Sequence, residues 1–292
     1  MENNVIFTQW TQIKRNLKDL NQLKKDIIKN FEENNLKDKK IVSMLSGGKD
    51  SSTALHIAKD LGLDVCLCVH FVHKWSWNLA KEQAKKIADK LDIPIIFYDI
   101  TGDLKKRTKG AKGGSICRIC KDIMKDKIIE IAKDEGAEII LTGDTALEKI
   151  SGPIFQHLRE TYGTEKFDKM ELTPVPKRYN KMFFRPLIRC GYDDVIKLKN
   201  YYGLNIERIH EVGDKFGYWR EGCPLQYCDY DTTITEELLD NLYHYNKKIT
   251  ELARKYRFRA SIKLPSKELM IVPNKKEYVN MVKKYLYDLY KI

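Results

Sequence analysis

The stretch Ile41-Val42-Ser43-Met44-Leu45-Ser46-Gly47-Gly48-Lys49-Asp50-Ser51-Ser52 restricts the fold more than any other part of the chain. A short, partly β-branched apolar run ends in a polar loop. Apolar residues at helical spacing follow at once: Ala54, Leu55, Ile57, Ala58 and Leu61. That order predicts a buried strand, a tight loop and a helix. Adjacent glycines let the backbone turn sharply and come close to a ligand. The helix then directs its free N–H groups and positive dipole end at whatever sits in the loop. Lys49 adds a mobile cation, and Ser46, Ser51 and Ser52 add hydroxyl donors. These are the parts of a phosphate cradle.

Downstream, strand-like runs near 63–71, 95–99, 138–142 and 182–187 alternate with helix-like ones near 76–91, 123–132 and 192–202. Such alternation predicts an α/β fold, a parallel sheet with helices on both faces. Ligands bind these sheets at the carboxyl ends of the strands. Those ends are Ser46, the His70-Phe71-Val72-His73 stretch, Asp99 to Thr101, and Thr142-Gly143-Asp144. Residues 14–34 read as an amphipathic helix that covers the domain or mediates homodimerisation. Residues 102–116 read as a polar loop, either solvated or a basic flap gripping RNA phosphate. Residues 160–181 read as an exposed excursion. The expected organisation is a helical N-terminal extension (1–38), a catalytic domain (39–230) and a mainly helical C-terminal region (231–292).

The chain carries 53 basic against 41 acidic residues, a net charge of +12. That excess favours a polyanionic partner, RNA first, although a Lys-rich style of sequence gives the same balance. No 18-residue uncharged apolar run is present, and Met1-Glu2-Asn3-Asn4 lacks a signal-peptide pattern. A cytoplasmic protein without a membrane partner is expected. Seven cysteines in such a setting point to metal or redox chemistry before disulfides. Cys66, Cys68 and Cys190 read as packing. Cys117, Cys120, Cys223 and Cys228 then admit a zinc site, an iron–sulfur cluster or a redox pair. His70 and His73 as metal ligands are a lesser alternative.

The loop is not the Walker A pattern, which places four residues between its first Gly and Gly-Lys-Ser/Thr. Ser46-Gly47-Gly48-Lys49-Asp50-Ser51 resembles the signature of the PP-loop ATP pyrophosphatases, which have an adenine-nucleotide-hydrolase, Rossmann-like fold. The Cys117-Arg118-Ile119-Cys120 motif opening a helix, and Cys223-Pro224 after Arg185-Pro186-Leu187, extend the resemblance. Over roughly residues 40–230 the chain is similar to the tRNA 2-thiolation enzymes, the thiocytidine and thiouridine synthetases. Gly222-Cys223-Pro224 also resembles the sulfonucleotide reductases.

That resemblance implies ATP, Mg²⁺ and a 4Fe-4S cluster as cofactors, with Cys117, Cys120 and Cys223 as cluster ligands and Cys228 as the substitute. It implies that backbone at His70, Phe71 and Val72 reads adenine. Ser46, Gly47, Gly48, Lys49, Asp50, Ser51 and Ser52 would hold pyrophosphate. Asp50, Asp144 or Glu148 would hold Mg²⁺. Glu148 stands where the family shows the last Asp of Gly-His-x-x-Asp-Asp, and Gly143-Asp144 stands at its start. The implied reaction adenylates a nucleobase carbonyl oxygen, in tRNA, and replaces it with sulfur from free sulfide or a sulfur-relay protein. Tyr218, Trp219 or Arg220 would stack on the unpaired base. The competing expectations are an adenylating ligase or amidotransferase with structural Zn²⁺ on four cysteines, a sulfonucleotide reductase, a small-molecule sulfur acceptor, and a non-catalytic nucleotide-binding RNA module.

Overall fold

Lys40–Met44 forms β1, in the interior of a six-stranded sheet. The other strands are β2 (Asp64–Val72), β3 (Ile95–Asp99), β4 (Ile139–Leu141), β5 (Lys177–Arg178) and β6 (Lys181–Phe184). Their order is β3-β2-β1-β4-β6-β5. The first five in that order form a parallel sheet, and β5 pairs antiparallel at the β6 edge. All three residues of β4 are buried, as are Ile41, Val42 and Ser43 of β1. Parallel strands covered on both faces read as continuous apolar runs, which is how they stand in the sequence. The expected α/β sheet is present. The computed structural model describes residues 19–33, 36–145, 177–178, 181–187, 190, 192–206, 210–211, 218–219 and 223–290.

The chain divides into two compact units. The first comprises Met1–His70, Ala80–Phe97 and Lys127–Ile206. Its helices are α1 (Leu20–Glu33), α2 (Lys49–Asp60), α3 (Asn78–Lys90) and α6 (Tyr192–Tyr201). Leu23 and Ile27 of α1 join Leu55, Ala58, Ile87 and Leu198 in one core. Burying each of the leucines and isoleucines among them contributes roughly 1.5–3 kcal/mol. Ile28 is 42% exposed, because it is rotated about 100° from Ile27 around the helix.

The second unit comprises Phe71–Leu79, Tyr98–Asp126 and Glu207–Ile292, so β2 and β3 finish in it. It holds α4 (Thr101–Thr108), the first half of α5 (Ile116–Asp134), α7 (Glu236–Lys255), the antiparallel pair β9 (Arg259–Ile262) and β10 (Leu269–Val272), and α8 (Lys276–Tyr290). The two-residue strands β7 (His210–Glu211) and β8 (Tyr218–Trp219) pair with each other. Buried Asn246 ties α7 to β9. Its amide donates to the Ile262 carbonyl at 3.1 Å, and its oxygen accepts from the Ile262 N–H at 2.9 Å. Phe258 stacks on Tyr278 with ring centroids 4.4 Å apart.

One expectation is corrected. The polar stretch 102–116 contains α4 and a 3-10 turn at Gly113–Ser115. The Asp99 carboxylate accepts from the Thr101 N–H at 2.7 Å, starting α4, and Leu104 and Thr108 are buried by it. Only two of its eight residues face inward, too few to register as a periodic signal. The C-terminal region carries, besides its two helices, the short strands β9 and β10. The 160–176 part of the excursion, Glu148, Arg220 and Gly222 lie outside the described residues. No described helix is long and apolar enough to cross a membrane.

Candidate functional site

The loop between β1 and α2 belongs to the first unit. Gly48 caps α2 with extended backbone and without a side-chain cap. The Ser52 hydroxyl donates to the Gly48 carbonyl at 2.7 Å, and Ser51 does so at 3.2 Å. The Ser51 oxygen also accepts from the Ser46 N–H at 3.1 Å. Ser52 is fully buried. These hydroxyls therefore shape the loop from inside. Gly47 has φ +72°, and a Cβ there would sit 2.4 Å from the Ala80 carbonyl oxygen. Both its conformation and the close approach of α3 demand glycine. Lys49 Nζ donates to Asp50 Oδ1 at 2.6 Å, with both side chains about three-quarters buried.

The ends of β4 and β6 adjoin this loop. A Cβ on Gly143 would lie 2.4 Å from the Ser51 nitrogen, so its backbone rests on the first turn of α2. Asp144 Oδ2 accepts from Thr142 Oγ1 at 3.1 Å and from Arg185 Nε at 2.6 Å. Arg185 enters the sequence reading only within the Arg185-Pro186-Leu187 segment of the resemblance, with no role given to it. His70 Nδ1 lies 2.8 Å from the Leu45 carbonyl, an acceptor, so the ring donates and braces the end of β1.

The thiols belong to the second unit. Cys117 is exposed in the first turn of α5, and Cys120 is half-buried one turn later. Cys223 is exposed as the residue before the 3-10 turn Pro224–Tyr227. Although surface area opens at Cys223, its sulfur sits low among protein atoms. Desolvation pushes its thiol up to about 12, helped by the charges of Cys120 and Cys117. Burial and Cys117 push Cys120 to about 11. Burial also raises Cys117, with Lys121 opposing. The three thiols are thus within each other's electrostatic reach. Cys228 stands apart: it is buried, and its Sγ would lie 2.6 Å from a Cβ placed on Gly113. Burial raises it to about 11, with Asp229 adding.

No three described His, Cys, Asp or Glu side chains gather tightly enough to hold one metal ion. One zinc bound by all four cysteines does not fit that arrangement. A cubane cluster gives each cysteine its own iron and so suits more widely spread sulfurs. His73 joins the thiols. Its Nε2 lies 3.7 Å from Cys223 Sγ, and its Nδ1 accepts from the Trp75 N–H at 3.2 Å. The neutral ring therefore carries its proton on Nε2, facing the sulfur. No sequence spacing could reveal a pairing across 150 residues.

Burial lowers His73 to about 4, with Asp99 opposing. The unfolded chain takes up that proton near 6.5, so the group's full contribution is present above pH 6.5 and is lost as pH falls toward 4. The loss is on the order of 3 kcal/mol at most. In metal-free protein, His73→Gln is expected to flatten this acid slope in urea unfolding at pH 7 and 4.5. Equal slopes for variant and wild type would refute the assignment.

Comparison with known proteins agrees with these features. The family described as "Queuosine biosynthesis protein QueC" matches residues 40–138. The chain is 56% identical over 289 residues to "Uncharacterized protein MJ1016" of Methanocaldococcus jannaschii, covering 97% of this chain and 98% of that one. A "tRNA-specific 2-thiouridylase MnmA" of Campylobacter jejuni is 32% identical over 119 residues, 37% of this chain and 35% of its own length. The Fusobacterium nucleatum protein "tRNA-specific 2-thiouridylase MnmA 2" is 34% identical over 114 residues, 36% of this chain and 33% of its own. The matches thus span about a third of each thiouridylase. The chain belongs to the family of the Methanocaldococcus jannaschii protein MJ1016, within the PP-loop ATP pyrophosphatase superfamily whose phosphate loop it carries at Ser46 to Ser51.

Proposed function

We propose that the protein is an ATP-dependent sulfur transferase that thiolates a nucleobase in tRNA. The observation that carries this reading is the grouping of Cys117, Cys120 and Cys223 in a chain with a pyrophosphatase-type loop. The local similarity to tRNA thiouridylases supports it. A pyrimidine carbonyl is a poor electrophile, and adenylating its oxygen makes that oxygen part of AMP, a far better leaving group. The N–H groups at the start of α2, with Lys49, offset the charge of departing pyrophosphate. Asp50, and Glu148 beyond the described residues, are the carboxylates offered to Mg²⁺. His70 to Val72 supplies backbone for the adenine edge. Cys117, Cys120 and Cys223 would hold a 4Fe-4S cluster, and the chemistry it would supply when bound is a sulfide nucleophile. His73 holds Cys223 in orientation through its Nε2–H.

The test is pyrophosphate release from ATP by anaerobically prepared protein, with and without tRNA and sulfide. Stimulation by tRNA with sulfur incorporated into RNA is expected. The match to a queuosine biosynthesis family favours one second reading, a free base or small nucleoside as acceptor. Pyrophosphate release that needs a small acceptor and ignores tRNA would establish it instead.

The tRNA reading also calls for an aromatic surface on which an unpaired base can rest. Tyr230 is 75% exposed, and its carbonyl accepts from the Gly114 N–H at 2.9 Å. A Cβ on Gly114 would strike the Tyr230 ring at 2.3 Å, so the ring rests against that backbone. Tyr230→Ala is expected to weaken tRNA binding about 10-fold, with Tyr230→Phe close to wild type, consistent with ~1–3 kcal/mol per stacked base. Filter binding at fixed salt measures this, and unchanged affinity in the alanine variant would remove Tyr230 from the site.

A further inference from the structure

We propose that Arg185 binds a phosphate of the nucleotide, and that Asp144 is its anchor and not a magnesium ligand. This rests on the ATP reading above. Arg185 follows β6 directly and so stands at the carboxyl end of a parallel strand, where these sheets take ligands. The Thr142 N–H donates to the Phe184 carbonyl at 3.0 Å, which fixes the ends of β4 and β6 side by side.

The guanidinium is half used. Nε is held by Asp144 at 2.6 Å, and the ring of Phe183 lies 5.5 Å from Cζ. Nη1 is buried and has no hydrogen-bond partner among the described residues, while the side chain is only 11% exposed. A guanidinium keeps its proton in any protein, so it cannot relieve this by titrating. A buried charged donor without an acceptor is unfavourable, and in native structures it calls for an explanation. Among the described residues nothing accepts from it, which makes a bound anion a fitting acceptor.

The surroundings give the class of that ligand. Gly143, the residue before Asp144, rests its backbone on Ser51 in the first turn of α2. That helix end attracts anions, and a guanidinium fork matches phosphate oxygens. Asp144 Oδ2 already accepts from both Arg185 and Thr142, and the adjoining guanidinium charge weakens the pull of that carboxylate on a divalent cation. Its role is to orient the guanidinium so that the open N–H meets phosphate.

Isothermal titration of full-length protein with ATP and with inorganic pyrophosphate, each with Mg²⁺, tests this. Arg185→Lys is expected to weaken both ligands about 10-fold and Arg185→Gln about 100-fold, the range of a charge-assisted hydrogen bond. Asp144→Asn is expected to weaken ATP while leaving the Mg²⁺ midpoint unchanged. If wild type binds and both arginine variants bind equally well, with only their melting temperatures altered, Arg185 is architectural and the proposal fails alone. A Mg²⁺ midpoint shifted tenfold in Asp144→Asn overturns the anchor role. If wild type binds neither ligand, the ATP reading itself falls. Should Arg185→Gln not fold, Arg185→Lys, which keeps the charge, decides the matter.

Discussion

Gly47→Ala is expected to abolish measurable ATP binding and to lower unfolding free energy by about 3 kcal/mol or more. Left-handed backbone costs a non-glycine residue about 1–2 kcal/mol. Here a Cβ would in addition meet the Ala80 carbonyl oxygen at 2.4 Å and the Ala84 nitrogen at 3.0 Å. Those are backbone atoms of α3, which cannot rotate away as a flexible side chain could. Either α3 or the loop has to move. Gly62→Ala is the matched control, with φ +69° and nothing within 4 Å of the added carbon. It is expected to lose about 1–2 kcal/mol from backbone strain alone and to bind ATP normally. Urea unfolding and calorimetric titration of the two variants separate strain from collision. Near-equal behaviour of the pair would mean that the loop is not held against α3 as described.

The second large effect concerns the thiols. Alanine at Cys117, Cys120 or Cys223 is expected to remove nearly all bound iron and acid-labile sulfide from anaerobically purified protein. Alanine at Cys228 is expected to leave both at wild-type levels and to cost about 1 kcal/mol of stability, as deletion of a small buried group does. The basis is environment: Cys117, Cys120 and Cys223 feel one another's charge, whereas Cys228 packs beside Gly113 and feels Asp229. Metal and sulfide analysis of the four variants reads the result directly. Stoichiometric zinc without iron in the wild type, or iron lost from Cys228→Ala, would overturn the assignment.

The parts of this molecule that a reader can find in the sequence are those written in local, repeated signals. The run from Ile41 to Ser52 announces strand, loop and helix, because each element carries its own pattern. Strands β2 and β3 and helices α3 and α6 fall within a few residues of expectation for the same reason. Helix α4 escapes, since its apolar content is Leu104 alone and its start depends on the Asp99 carboxylate. The candidate site divides in the same way. The loop residues and the Cys117–Cys120 pair are adjacent in the chain. The Arg185–Asp144 and His73–Cys223 contacts join residues 41 and 150 apart, and only folding brings them within range. A surface tyrosine such as Tyr230 has no sequence signature at all, because exposure is a property of the folded state.

The two-residue strand β5 has a bearing on handling the protein. Among the described residues it pairs antiparallel with β6 at one margin of the sheet, and both of its residues, Lys177 and Arg178, are basic. A very short margin strand carrying positive charge gives a second chain little to zip onto, a recognised guard against self-association. The strand that it shields runs Lys-Met-Phe-Phe. A truncation or inserted tag that displaced Lys177 and Arg178 would bare that row of amide and carbonyl groups beside two phenylalanines. The price would be insoluble protein at high concentration, even with the nucleotide loop intact.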